Sequence, residues 1–407
     1  MHPFDEIAQW KGRYGEDPQP LVQLLRQAAR IKAGDAGTLA RLHENVLFFR
    51  AYPHSPAVAR EADRLLAGFS SKVAELEQGL DVFDQPEYSG CAGTQVSAVY
   101  SYETARLLAA SDPGAIDIDW AWCEDPSRAA PVLVCIAPRL GEEWPVEAHV
   151  PVSEWVEAVK PKGQSCLEYV LRGISSLPCP ERQRAQLYDS MGLLLTFRIG
   201  DSKAARTHAR GPATRLFCHN ARLISRKQVS LEAELAAPAM PVRRLPAREA
   251  RELLALITAT SAVRYRELYG FMHPDPQRVL LAEAGRGVQI ALFGIQPEWR
   301  LPLRAYHCGM LFKNSIPLGY MEILSFFERA EIGFNLYYTF REGETAWIYA
   351  RTLRLLKQLM GVTVYWLDPY QIGHQNEEAI ESGAFWFYRK LGFTVFGGVP
   401  LYIRVPG

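Results

Sequence analysis

The stretch Asn376–Phe393, NEEAIESGAFWFYRKLGF, decides how the chain is read. Ala379, Ile380, Gly383, Ala384, Phe387 and Leu391 recur at helical spacing, which predicts one helix over Asn376–Leu391 with an apolar, partly flat face. Glu377, Glu378 and Glu381 fill its first turns and Arg389 and Lys390 its last, the order that the helix dipole favours. Gly392 follows, where a positive φ costs a glycine little and the helix can end. Just upstream, Val362–Leu367, VTVYWL, is rich in β-branched and aromatic residues and reads as a strand. The polar loop 368–376 between them is longer than the connection needs, which suits a ligand-contacting segment; Asn376 can instead cap the helix.

Working outward, Thr345–Met360 reads as a helix, and strands are expected near Val279–Ala284, Gly287–Phe293, Ala305–Lys313, Leu318–Glu328 and Glu331–Tyr338. A helix over Ala247–Tyr269 precedes them, and a short turn is expected at Lys313-Asn314. Pro238, Pro241 and Pro246 oppose regular structure and mark 236–246 as a linker. Strand, loop with asparagine, and helix ending FYRKLGF make residues 247–407 resemble the GNAT (GCN5-related N-acetyltransferase) superfamily, with Asn376, Phe387, Tyr388, Lys390, Leu391, Gly392 and Phe393 carrying the match. The expected class is α/β: a C-terminal GNAT-like mixed sheet flanked by helices, preceded over 1–235 by a mainly helical α+β domain. In that N-terminal part, apolar stripes predict helices over 21–29, 39–49, 57–76, 94–110, 153–160 and 165–174, and a strand over 116–120.

The resemblance implies an N-acyltransferase that takes acetyl-CoA or another acyl-CoA, or an acyl group on a carrier protein, and passes the acyl group to an amine on a small molecule or peptide. It gives Tyr388 the role of general acid toward the departing thiolate; the residues alone also allow a packed aromatic ridge over 385–388. It places the diphosphate of the donor on the loop FREGETA, with Arg341, Gly343, Thr345 and Ala346 as the binding positions and Asn376 as a further contact. There the chain departs from the family pattern: with Arg341 as the basic residue Glu344 stands where a glycine belongs, and with Gly343 as that glycine Phe340 replaces the basic residue. Thr339 and Glu342 also fit a capping box, which would fill amides that a phosphate needs. For a general base, Glu322, Glu328 and Glu331 lie in the right region, and Glu322 is preferred because Tyr320, Met321, Ile323 and Leu324 surround it.

Whole-chain properties bound these readings. The 407 residues exceed a usual single core, and 45 basic residues balance 45 acidic ones, so no global field recruits nucleic acid or an anionic membrane. The N-terminal segment shows no basic-then-apolar signal pattern and no apolar run reaches membrane-spanning length, so a cytoplasmic protein without membrane contact is expected. Seven scattered cysteines with no C-x-x-C pair predict reduced thiols and no metal site. The basic run Lys203–Lys227 has no acidic residue and could grip phosphate, a carrier protein or, in a transferase using aminoacyl-tRNA, RNA. The rival to catalysis is a GNAT-shaped binding or regulatory module without CoA chemistry.

Overall fold

The computed structural model describes residues 3–32, 34–143, 146, 149–395 and 403–404. It is a mixed α/β protein that divides into two compact units. The first gathers residues 1–68, 209–254 and 273–407; the second comprises 69–208 and 255–272. The units therefore do not run 1–235 and 247–407. The proline-rich stretch contains a strand of the main sheet, since three prolines still leave Val242–Arg244 free to pair.

In the second unit, β1 (Gln95–Val99), β2 (Ile116–Ile118) and β3 (Leu194–Arg198) form an antiparallel sheet in the order β1-β3-β2. The helix expected over 94–110 is thus a strand followed by a helix, Tyr102–Ser111. Ser101 causes the change: its side chain accepts a hydrogen bond from the Thr104 amide and starts the helix there. Ser165 starts the Cys166–Ser175 helix in the same way, through a full capping box with Glu168.

The first unit is built on a seven-stranded sheet. Its strands are β4 (Val242–Arg244), β5 (Pro274–Gly285), β6 (Val288–Ile295), β7 (Ala305–Lys313), β8 (Ile316–Phe326), β9 (Arg329–Leu336) and β10 (Val364–Trp366). They lie in the order β10-β9-β8-β7-β6-β5-β4, antiparallel except for β9 and β10, which run parallel through the Thr345–Met360 helix. That pairing covers only Val364–Trp366 against Arg329–Glu331. β9 continues to Leu336, whereas β10 ends at Trp366, so the pairing of the two strands ends at Glu331 and Trp366.

Two-residue turns close two hairpins at one end of this sheet. Arg286 and Gly287 join β5 to β6 with φ of 52° and 73°, and Asn314 and Ser315 join β7 to β8 with φ of 50° and 66°. Left-handed pairs of this kind match the twist of antiparallel strands. The Asn314 side chain also ties distant segments together, donating to the carbonyls of Ala51 (2.8 Å) and Phe217 (3.0 Å) and accepting from the Phe217 amide (2.8 Å).

The single helix expected over Asn376–Leu391 is two, Glu377–Glu381 and Ala384–Lys390. Gly383 breaks it with φ of 66°. The apolar period runs unbroken through this glycine, so spacing alone could not reveal the bend. Gly392 has φ of 102°, as the end of a helix there requires. No helix among the described residues is long and apolar enough to cross a membrane.

Candidate functional site

Alternation along the strands sorts the C-terminal sheet into two faces. Ile332, Phe334 and Tyr365 lie on one, against the Thr345–Met360 helix: the Phe334 and Tyr349 rings are 4.9 Å apart, and the Tyr365 hydroxyl donates to the Leu353 carbonyl at 2.8 Å. The other face carries Tyr306 and Cys308 of β7, Glu322 and Leu324 of β8, and Glu331 and Gly333 of β9. Glu322, Leu324, Glu331 and Gly333 are all half-buried there, so the face is open to solvent on these two strands.

Glu322 sits opposite Cys308 on one side and Gly333 on the other. The Tyr306 hydroxyl donates a hydrogen bond to Glu322 Oε1. Burial pushes the Glu322 carboxyl above its ordinary pKa, and the tyrosine bond partly opposes that rise. Burial also raises Tyr306 and Cys308, so both stay protonated at neutral pH. Glu331 is raised by burial as well, although Arg304 pairs with it at 3.0 Å; Asp368 and Glu322 add to the rise. The 368–376 loop reaches this face, because the Gln371 amide lies 3.8 Å from where a Gly333 Cβ would stand. Glu322, Glu331, Asp368 and Gln371 therefore gather where the pairing of β9 with β10 ends. Glu328 does not join them: β8 ends at Phe326, and Glu328 lies in the turn with its carboxylate 3.8 Å from Arg329.

Tyr388 lies among aromatic rings on the helix-covered side. It is 3% exposed, with its ring 5.5 Å from Tyr349 and 5.7 Å from Phe393. Its hydroxyl finds no hydrogen-bond partner among the described residues, and burial raises its pKa. Asn376 is the cap of the Glu377–Glu381 helix: its oxygen accepts from the Ala379 amide at 3.1 Å, and its nitrogen donates to the Tyr370 carbonyl at 2.9 Å.

The FREGETA loop is occupied by the chain itself. Arg341 pairs with Glu378 at 2.5 Å and stacks over Tyr338. Thr345 Oγ1 donates to the Arg341 carbonyl at 3.0 Å, and Ala346 is buried. A Cβ on Gly343 would stand 2.7 Å from the Tyr52 ring and hydroxyl. The capping box gives way to distant partners: the Thr339 hydroxyl donates to Glu44, and Glu342 accepts from Lys11 at 2.7 Å.

Glu344 points inward and is fully buried. The Arg286 guanidinium donates to both its oxygens (2.5 and 3.2 Å), Lys313 Nζ is 3.5 Å away, and the Ile224 amide donates at 3.1 Å. Lys313 Nζ also donates to the Arg286 carbonyl at 2.6 Å and lies 4.9 Å from the Tyr52 and Phe217 ring centres. Burial pulls the Lys313 pKa down to about 7. His219 accepts from Arg286 at Nδ1 (3.2 Å), and its buried Nε2 finds no partner among the described residues. Burial and the two neighbouring cations pull His219 down to about 2. The two hairpin turns bring Arg286 and Lys313 to this point, and a sequence scan for two-residue turns between alternating strands could have paired them.

The basic run Lys203–Lys227 does not act as one patch. Arg210 pairs with Asp63 at 2.5 Å, Arg226 donates to the Lys390 carbonyl at 2.6 Å, and buried Arg206 donates to the carbonyls of Glu87 and Ser89. Lys203, Arg215, Arg222 and Lys227 are exposed. No family model, curated protein or solved structure matches the chain.

Proposed function

We propose that the open sheet face around Glu322 is an acyl-transfer site, in which an amine takes an acyl group from a thioester. The observation that supports this most is Glu322 itself: a carboxylate of raised pKa, held by a tyrosine hydroxyl at Oε1, beside the end of the β9–β10 pairing. The tyrosine engages one oxygen and leaves Oε2 to accept a proton. The amine nitrogen forms a bond to the thioester carbonyl carbon and its proton passes to Oε2. The C–S bond then breaks and the departing thiolate takes up the proton held at Oε2, since Tyr388 lies on the opposite, helix-covered side of the sheet. The closed FREGETA loop supports a second reading, a binding module without CoA chemistry.

The test is incubation of the protein with acetyl-CoA, with the acetyl thioester of N-acetylcysteamine, and with a panel of primary amines, read as amide by mass spectrometry. Amide formed faster than in a protein-free control supports transfer. Amine-dependent stabilisation in a melting experiment with no amide from any thioester would favour the binding module.

A further inference from the structure

The start of the Thr345–Met360 helix is where the resemblance seats a diphosphate, and the residues present do not fit one. A helix start favours negative charge because its first amides lack partners within the helix. Here the cap position itself carries a carboxylate: Glu344 is fully buried, makes no side-chain bond to the helix amides, and has Arg286, Lys313 and the Ile224 amide directed at it. Arg341, the basic residue of the loop, is paired with Glu378, and Tyr52 closes the approach over Gly343. A diphosphate entering here would meet a carboxylate and would have to separate it from Arg286 in a buried setting, where parting an ion pair is costly.

We infer that Arg286, Lys313 and the Ile224 amide form an anion receptor that the chain fills with its own Glu344 carboxylate, so that no diphosphate-bearing ligand docks on this helix. Joined to the acyl-transfer reading, on which this extension rests, it names the donor class: an acyl thioester on a protein carrier or a short thiol, whose recognition does not use a nucleotide diphosphate at the helix start. The closed receptor also accounts for buried Lys313 standing beside part-buried Arg286 at the ends of two hairpins: they share one internal counterion.

The experiment is a melting series on the full chain with inorganic pyrophosphate, CoA, acetate and formate. Wild type is expected to show no saturable rise with pyrophosphate or CoA. Glu344→Ala is expected to melt lower and to recover on adding acetate or formate, by at least about 3 °C at saturation, because a small carboxylate can enter the vacated receptor. Adding Arg286→Ala to that variant is expected to abolish the recovery. A saturable rise of wild type with pyrophosphate or CoA, lost in Arg341→Glu, overturns the inference and needs no variant at Glu344. A folded Glu344→Ala that no carboxylate stabilises also overturns it. If Glu344→Ala folds only when refolded with acetate present, the inference is supported. The readout involves no transfer, so a failed amide assay leaves this result standing on its own.

Discussion

Burial raises the Glu322 pKa, and the Tyr306 hydrogen bond opposes that rise. The bond favours the ionised carboxylate, whereas burial favours the neutral acid. Tyr306→Phe removes the first influence and keeps the second, so the Glu322 pKa should rise further. A carbon-13 titration of labelled glutamate, assigned with Glu322→Gln, reads that shift directly; an unchanged or lowered pKa would refute it. Gly343→Ala is expected to destabilise the fold by about 1–3 kcal/mol in denaturant melts, the usual cost of overpacking, since its Cβ would stand 2.7 Å from Tyr52 and 3.0 Å from the Phe340 carbonyl. Glu322 was legible in the sequence because its apolar neighbours foretell burial. Tyr306 was not, because its meeting with Glu322 depends on a bulge. Continued straight from the Asn314-Ser315 turn, the register would set Cys308 opposite Met321; the shift between Leu311 and Phe312 sets it opposite Glu322 and brings Tyr306 onto the same face. Glu344 stood out as a departure from the family pattern, but its buried partners did not. Its partners come from turns far along the chain, whereas the local T-x-x-E pattern drew attention to Glu342.

At the scale of elements, regular periodicity was read well and punctuation was not. The strand Ala305–Lys313 and the helix Thr345–Met360 were expected with the bounds they have, because the first is a run that ends at a short turn and the second carries one long apolar stripe. The helix expected over 94–110 failed because Gln95–Val99 alternates and Ser101 caps the shorter helix after it. The helix over 376–391 failed because Gly383 keeps the apolar period while turning the backbone. That turn is testable. A Cβ at Gly383 meets nothing within 4 Å among the described residues, so the positive φ is what opposes Gly383→Ala. The expected loss is about 1–2 kcal/mol, read from denaturant midpoints. A stabilised variant would mean that the backbone straightens into one helix without penalty. Asn376→Ala should cost about 1 kcal/mol by the same measurement, as removal of a cap does.

For the whole molecule, the first unit is assembled from three separated segments, and linear composition cannot announce such an assembly. Residues 1–68 join the C-terminal sheet through Asn314 on the Ala51 carbonyl, Lys11 on Glu342 and Tyr52 over Gly343. The same unit buries His219 beside Arg286 and Lys313, and buries His54 stacked on Tyr14 at 4.0 Å. Their pKa values fall from 6.5 to about 2 and about 4. Both groups bind protons more readily when unfolded, so their contribution to stability is complete above pH 6.5 and is lost as pH falls toward 4 and then 2. The melting temperature should drop through that window, and the drop should be shallower in His54→Asn and His219→Asn; equal slopes would contradict the assignment. The central claim, that Glu322 serves acyl transfer on the open sheet face, is tested most directly by comparing amide production from wild type and Glu322→Gln with the short acetyl thioester and an amine substrate. Wild type is expected to turn over, and Glu322→Gln, melting normally, to lose about a hundredfold or more in rate, as removal of a general base does. Equal rates in the two proteins, or no amide from wild type with any thioester, would contradict it.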